Sequence, residues 1–596
     1  MPKWNRQYEK GRKYKVEWER DFVWVSADEG SDKAYCKLCR RSVLAKRDSL
    51  VQHSNSTAHK SRTPNASASK PLTNFFQRDN KKSTQRIELI LATHTACHTA
   101  IRTIDHLGEI LASNGKKSDF SDLKLHRTKC TRLITEVIAP AFKETMVEDI
   151  ADKKFSLIID ETTDISSEKE LAIIIRFYSE KNQKIMDTLL EMVPMCSATG
   201  ETIFEAITGA LQKCGLPLAN CIGLGCDGAS TMVGQFNSVW SRLRAQNPEC
   251  VLMRCVCHSL ALCIQHGFDK LPSNLSYLLQ EIPGWFSHSK LRREGYKQLQ
   301  EEMMDDDSVL ETPFTRFAQT RWLSRGKVMS RIHKNWSVLQ EYFSVMINTD
   351  SQKLNAVQRY KAREILNMLL DKANHLYLTF ALPIVTEFER VNAFFQADKA
   401  DPNVALDELN CLFRSLKTRV SDSHGNEKAL SLVDFGAQFA AESQEFLRSS
   451  HDAAQSLQNI KGRCLDLLKE CISEVEKRLP DQKNVFLSLT SLGPGCVLSQ
   501  TRRSTFANLP FQHLLRENVN ELDEQYRQVI FVDWKDHFPD SQIPTDSESF
   551  WTGVLKYEDA AGNKKFRMLA LYALSCLSIP LSNAVVERLF STVTFV

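Results

Sequence analysis

The order of strand-like and helix-like segments between residues 155 and 267 constrains the fold more than any other feature of this 596-residue chain. Short apolar runs rich in Val, Ile and Leu are typical of buried strands. In chain order, the five predicted strands are FSLIID (155–160), LAIIIRFY (171–178), KIMDTLLEMV (184–193), NCIGLGCD (220–227) and VLMRCVC (251–257). Helical patterns end at Gly215 before the fourth strand and at Gly267 after the fifth, and a further helix separates these two strands.

The resulting order is that of a ribonuclease-H-like mixed α/β core. It runs through three strands, a helix, a strand, a helix, a strand and a helix. In that fold the first and fourth strands are neighbours, so Asp160 and Asp227 are expected to lie side by side. Two close carboxylates are unfavourable without a cation, and Mg²⁺ or Mn²⁺ holding a scissile phosphate is the usual reason for such a pair. The alternative is that both acids cap turns. Glu161 and Asp164 are interpreted as turn and capping residues rather than ligands.

A second strong pattern lies near the N-terminus, where Cys36, Cys39, His53 and His59 have the spacing Cys-x2-Cys-x13-His-x5-His. Two thiolates on a tight turn and two imidazoles on a following helix predict a tetrahedral Zn²⁺ site. The alternative is that these side chains bind no metal. The aromatic residues of EWERDFVWVS (17–26) are expected to pack against this small finger, or else to form a short hydrophobic strand.

The charge distribution points to a polyanion as partner. Residues 1–90 carry 20 Lys+Arg against 10 Asp+Glu, whereas the remainder carries 57 against 63. This basic region favours double-stranded DNA, with a solvated tail as the alternative. Lys46, Arg47 and Gln52 are expected on or near the finger helix, where such a finger contacts DNA.

The composition limits the cellular compartments expected for this chain. The sequence has no apolar window long enough for a membrane span and no signal-peptide core, so no membrane contact is expected. Most of the 17 cysteines lie singly in apolar runs, which predicts reduced thiols. These features favour the cytosol or nucleus, and the expected DNA binding favours the nucleus.

Five segments, in order, are similar to successive blocks of the hAT transposase superfamily: FSLIIDETTDISSEKELAIIIRFY, GLGCDGASTMVG, RCVCHSLAL, TRWLSR and VVERLFS. The finger resembles the BED-type fingers of transposase-like proteins. The resemblance implies an Asp-Asp-Glu triad of Asp160, Asp227 and Glu587 that binds Mg²⁺ or Mn²⁺. It also places Cys255 and His258 beside the active site, although a buried thiol and a core histidine are the alternative.

The resemblance further implies that Trp322 stacks against a displaced base, an interaction that stabilises an unpaired base by about 1–3 kcal/mol. Its alternative is an ordinary core aromatic residue. Arg321 and Arg325 could reach the DNA backbone. A second zinc site from Cys255, Cys257 and His258 is an alternative, but these three ligands would be crowded.

The predicted fold is therefore a multidomain α+β chain, with a zinc finger and a ribonuclease-H-like core interrupted by a large all-helical insertion. The predicted segments are 1–62 finger, 63–84 linker, 85–150 helical DNA-binding or intermediate segment, 151–270 first part of the core, 271–560 helical insertion, and 561–596 last part of the core with a shortened C-terminal dimerisation region. Within the insertion, 485–505 is expected to form loops between helices.

Two functions fit these features. One is a domesticated, catalytically silent descendant that acts in the nucleus as a zinc-finger DNA-binding, regulatory or scaffolding factor. The other is an active DNA transposase. The printed chain stops nine residues after Glu587, whereas the family's last helix continues. This end favours the first function and is expected to weaken a homodimer.

Overall fold

The computed structural model describes eleven stretches of the chain: 13–28, 31–60, 73–115, 118–163, 169–287, 289–303, 325–348, 354–397, 401–448, 452–515 and 518–593. The chain divides into two compact units, Met1–Thr135 and Glu136–Val596. Within the described stretches, no helix is both long and apolar enough to cross a bilayer.

The first unit begins with a three-stranded antiparallel sheet and three helices. These are α1 (Trp18–Asp21), β1 (Val25–Ala27), β2 (Ala34–Cys36), β3 (Arg41–Val43), α2 (Arg47–Asn55) and α3 (Thr57–Lys60). Its small core holds Val25, Ala34 and Leu50, and the rings of Trp18, Phe22 and Trp24 pack against that core among others. The prediction that nearby aromatic side chains complete the finger is confirmed.

Three further helices complete the described part of this unit: α4 (Thr73–His98), α5 (Thr103–Asn114) and α6 (Arg127–Leu133). Helix α4 starts inside the segment 63–84, which was predicted to be a linker. The buried Glu88 of α4 accepts a hydrogen bond from Lys129 of α6, so a partly desolvated ion pair joins these two helices.

The second unit contains a five-stranded mixed sheet with the order β6-β5-β4-β7-β8. Its strands are β4 (Phe155–Thr163), β5 (Lys169–Ser179), β6 (Lys184–Met195), β7 (Cys221–Cys226) and β8 (Val251–Arg254). The first three strands are antiparallel, whereas β4, β7 and β8 run parallel. The expected adjacency of the first and fourth core strands is confirmed.

Two local predictions in this sheet were wrong. Strand β4 does not end at Asp160, because its pairing with β5 continues to Thr163, although its fully buried part stops at Ile159. Glu161 is therefore a strand residue and not a cap, while Asp164 lies outside the described residues. In the fifth strand, pairing stops at Arg254, and the following CVC sequence begins a helix.

Helices cover both faces of the sheet. They are α7 (Ala139–Ile150), α8 (Gly200–Lys213), α9 (Ser230–Val233), α10 (Val239–Gln246) and α11 (Val256–Phe268), followed late in the chain by α25 (Arg567–Leu577) and α26 (Ala584–Val593). A capping box at Thr199 starts α8, and Gly215, with φ +66°, follows its end as predicted. Helices α7, α8 and α10 bury one sheet face, and α26 packs on the opposite face.

The described part of 271–560 consists of helices, short turns and one isolated bridge between Ser421 and Glu427. Its helices are α12 (Ser273–Ser287), α13 (Lys290–Met303), α14 (Arg325–Lys334), α15 (Trp336–Asn348), α16 (Ala356–Leu370), α17 (Lys372–Phe395), α18 (Pro402–Val420), α19 (Ala437–Leu447), α20 (Ala453–Arg478), α21 (Pro480–Thr490), α22 (Pro494–Val497), α23 (Val519–Gln528) and α24 (Ser547–Lys556). The loop prediction for 485–505 was partly wrong, because α21 and α22 enter it.

Candidate metal centre and acidic site

The four predicted zinc ligands come together in the finger. All are buried, and one ligand atom from each lies within 4.8 Å of the others. The Nδ1 atom of His59 is 3.5 Å from the Sγ of Cys36 and 3.4 Å from the Sγ of Cys39. A tetrahedral ion with Zn–S near 2.3 Å and Zn–N near 2.0 Å needs sulfur–nitrogen separations of about 3.5 Å. The residues present therefore fit a Zn²⁺ ion.

The spacing predicts both histidine ligands on one helix, and this prediction is wrong, because they lie on two. His53 is on α2 and His59 on α3, and the chain breaks between them at Ser56, whose backbone is extended with ψ 144°. Six residues along an unbroken helix would rotate the second imidazole by roughly 120° away from the first. The break removes this rotation and lets both rings face the cysteines. The Ser56 hydroxyl stabilises it by donating to the carbonyl of His53 at 2.7 Å.

Burial and a neighbouring cation favour the neutral form of both imidazoles. Burial, followed by the charge of Arg41, lowers the pKa of His53 and of His59. The Nη2 atom of Arg41 lies 2.9 Å from Nδ1 of His53, while Nε2 of His53 is buried without a hydrogen-bond partner. A buried ring nitrogen without a partner, on a residue grouped with two cysteines, is an atom that a bound metal would satisfy. Binding through Nε2 places the ring proton on Nδ1, so Arg41 must then move away.

The predicted DNA-contacting side chains lie on the outside of this finger. Lys46 is the N-cap of α2, and Arg47 and Gln52 are exposed residues of the helix itself. The cations have local partners, since Lys46 pairs with Asp48 and Arg47 pairs with Asp21, each at 3.0 Å. Exposed pairs of this kind are weak and easily exchanged for a phosphate.

In the second unit, Asp160 and Asp227 occupy the same level of the sheet. Ile158 on β4 pairs with Gly225 on β7, two residues before each acid. Local hydrogen bonds hold both carboxylates, because Oδ1 of Asp160 accepts from the Glu161 amide at 2.9 Å and Oδ1 of Asp227 accepts from the Ala229 amide at 3.1 Å. The second bond forms a turn, so the capping interpretation is correct in part for Asp227.

The third predicted acid, Glu587, lies on α26, which contacts the other face of β4. The neighbouring Val586 is fully buried against Ile158 of β4 and against Ala172 and Ile174 of β5. The segment before the helix is tied to the strand by Asn583, whose Nδ2 donates to the carbonyl of Ile159 at 3.3 Å. Gly225 permits this approach, because a Cβ there would lie 3.2 Å from Oδ1 of Asn583.

The three acids interact through their charges. Burial, then the charge of Asp227, raises the pKa of Asp160 to about 7. Burial, then the charge of Asp160, raises the pKa of Glu587 to about 8. Asp160 is thus the acid whose charge interaction connects it to each of the other two. Within the described chain, the three do not form a group whose ligand atoms all lie within 4.8 Å, so one ion would not bind all three as they stand.

The other predicted site residues are less clearly arranged. The Sγ of Cys255 accepts from the Asn583 amide at 3.5 Å, and burial is the main cause that lowers the pKa of His258. Among the described residues, Cys255, Cys257 and His258 form no compact ligand group. Arg325 is half-buried over the Phe268 ring at 4.8 Å. Arg321 and Trp322 lie outside the described residues, and the DNA roles of all three stay predictions.

The sequence analysis did not identify one group of potential metal ligands. His333, His375 and Glu442 offer ligand atoms that lie within 4.8 Å of one another. They come from three helices, and no short spacing of the kind seen in the finger connects them. The local sequence shows only the periodicity of each helix. Periodicity does not determine which helix faces contact each other.

The comparisons with known proteins cover parts of the chain. A family model described as the ZMYM1/FAM200, RNase-like domain (DUF4371) matches residues 113–238, a range that includes Asp160 and Asp227. The general transcription factor II-I repeat domain-containing protein 2 of Bos taurus is 20% identical over 349 residues, and that of Mus musculus 23% over 351. Each alignment covers 56% of this chain and 33% of the relative, so the chain spans about a third of these proteins.

Proposed function

We propose that this chain is a transposase-derived DNA-binding factor of the nucleus, with a finger that contacts double-stranded DNA and a ribonuclease-H-like core that serves regulation or scaffolding. The observation that carries the proposal is the buried Cys2His2 group beneath the exposed Lys46, Arg47 and Gln52. A finger this small needs its metal to fold, so a zinc site implies that the exposed helix is rigid enough to dock.

The comparisons support the two remaining parts of the proposal. The RNase-like description agrees with an origin of the core in a nucleic-acid-processing enzyme. The relatives' printed name contains the words general transcription factor, which favours a regulatory role and a nuclear address. A strand order of β6-β5-β4-β7-β8 with two parallel pairs is also the order expected of a ribonuclease-H-like core.

The test is selection of double-stranded DNA from a random library by the full chain, followed by affinity measurements at fixed salt. Replacing Lys46, Arg47 and Gln52 by Ala should weaken binding by at least tenfold and flatten its salt dependence. Lys290→Ala with Lys297→Ala removes two exposed cations of α13 and serves as the control. Equal affinities of both variants for any selected sequence would refute the proposal.

A second candidate is an active transposase, and the coupled acids favour it. Asp160 would share divalent ions with Asp227 on one side and Glu587 on the other. Bound Mg²⁺ or Mn²⁺ would activate a water and stabilise the leaving oxygen of a cut strand. Metal-dependent nicking of supercoiled plasmid that disappears in Asp160→Asn and Asp227→Asn, with DNA affinity retained, would establish this function. Equal background nicking in all three chains leaves the binding factor as the function.

A further inference from the structure

Three side chains with metal-binding chemistry meet in the helical region, apart from both sites above. His333 lies on α14, His375 on α17 and Glu442 on α19. The Nδ1 atom of His375 is 3.1 Å from Oε2 of Glu442, and the two imidazole rings stack with centroids 5.0 Å apart. Two imidazoles and one carboxylate are a ligand set that suits Zn²⁺ and leaves a fourth position open.

The carboxylate of this group is oriented on both of its oxygens. The hydroxyl of Thr379 donates to Oε2 of Glu442 at 2.8 Å, and Nε2 of Gln438 donates to Oε1 at 3.0 Å. The same hydroxyl lies 3.0 Å from Nε2 of His333, so it links the carboxylate to the second imidazole. Hydrogen bonds of this kind orient metal ligands and strengthen their affinity, and here they come from side chains one turn away on α17 and α19.

The group also opens onto a cavity. A space of about 320 Å³ is lined by Trp336, Lys372, His375, Glu442 and Glu445, among others. His375 and Glu442 are 29% and 24% exposed, so an ion can enter and a water can reach the open position. The indole of Trp336 packs edge-on against His375 with centroids 4.9 Å apart and limits how far that ring can turn.

We propose that His333, His375 and Glu442 form a Zn²⁺ site that joins α14, α17 and α19, with its fourth position open to this cavity. The competing arrangement is a hydrogen-bonded pair in which a proton lies between His375 and Glu442. A metal ion would replace that proton and draw in the second imidazole. The ligands belong to helices far apart in the sequence, so the ion would cross-link the helical region. This inference does not depend on the proposed DNA-binding function.

The first test is the zinc content of the full chain at equilibrium with buffered Zn²⁺. We expect about two ions per chain, one in the finger and one here. His375→Gln and Glu442→Gln should each remove about one ion, whereas the exposed His424→Gln should remove none. About one ion in the parent chain, or a content that neither variant lowers, would overturn the proposal.

A second test separates metal binding from simple packing. The full chain with Cys36→Ser and Cys39→Ser lacks the finger thiolates, so Co²⁺ bound by that chain should give bands of nitrogen and oxygen ligands without thiolate charge transfer. Zn²⁺ should raise the melting temperature of the helical region in this chain, and adding Glu442→Gln should abolish the rise. If Glu442→Gln lowers the metal-free helix content, His333→Asn replaces it. A Zn²⁺-induced rise that persists in both variants, or no rise in the starting chain, would refute the site.

Discussion

Asp160 of β4 and Asp227, directly after the neighbouring β7, lie level with each other, because Ile158 and Gly225 pair two residues before them. The two acids lie level although β4 continues past Asp160, whereas β7 ends one residue before Asp227. Two carboxylates in this position repel each other, and burial adds to the effect. The arrangement is therefore unfavourable unless a proton or a cation is present, and this gives a measurable signature.

That signature is a fall in stability with rising pH. Unfolded carboxyl groups ionise near pH 4, whereas the pKa of Asp160 is raised to about 7 and that of Glu587 to about 8. Between these limits the folded chain holds more protons than the unfolded chain, so its stability falls as the pH rises through about 4 to 8. Melting temperatures recorded without added Mg²⁺ or Mn²⁺ should show this fall.

Asp160→Asn should flatten this pH dependence and stabilise the chain near pH 8 by on the order of 2–4 kcal/mol, since it removes the buried charge. The exposed Asp536→Asn is the matched control and should keep the parent slope. An unchanged slope in Asp160→Asn would show that the acid does not carry the effect.

Gly225 should tolerate no side chain, because α26 and the segment before it pack directly on the strand. A Cβ there would lie 2.9 Å from Cγ of Pro580 and 3.2 Å from Oδ1 of Asn583. Gly225→Ala should therefore lower stability by about 1–3 kcal/mol. Hydrogen exchange should also show faster opening of β4 and α26.

The control for this substitution is Gly209→Ala on α8, where an added Cβ meets nothing within 4 Å. That change should raise stability by about 0.5–1 kcal/mol, since Ala is the better helix former. If both alanines had the same effect on β4 and α26, the close approach at Gly225 would not matter.

The helix break at Ser56 should be needed for tight zinc binding. Ser56→Ala removes the hydroxyl that stabilises the break and favours one continuous helix, which would rotate His59 away from the cysteines. We expect zinc affinity to fall by a few-fold, corresponding to about 0.5–1 kcal/mol, in competition with a chelator. Ser54→Ala removes a similar exposed hydroxyl bond to Val51 within α2 and should leave the affinity unchanged. A loss of equal size in both variants would argue against a role for the break.

Loss of a thiolate should unfold the finger and leave the core intact. Cys39→Ser should reduce thiolate-to-Co²⁺ charge transfer by at least half and abolish the hydrogen-exchange protection of 34–60, because structural zinc supplies about 10–16 kcal/mol of folding free energy in isolated fingers. Protection of the core strands should not change. Cys97→Ser, an exposed thiol on α4, should behave as the parent chain. Protection of 34–60 that survives in Cys39→Ser would mean that the finger folds without its metal.

Local patterns in the sequence were sufficient for the strands and for the zinc ligands. Apolar runs identify β4, β5 and β7 because burial on both faces excludes polar side chains for several residues. The sequence predicts the end of β4 where burial ends, at Ile159, whereas Asp160, Glu161 and Thr162 still pair with β5 without being fully buried. Cysteine and histidine spacing identifies the finger, because a metal site needs few residues at short separations.

The tertiary structure determines which segments that are distant in the sequence come into contact. Local patterns do not bring Glu587 to Asp160, because that approach depends on Val586 packing on the sheet and on Asn583 donating to the Ile159 carbonyl of β4. Nor do they join His333 to Glu442, which meet because α14 and α19 both pack against α17. Periodicity determines that a helix has an apolar face, whereas the shapes of the side chains on that face determine which neighbour it meets.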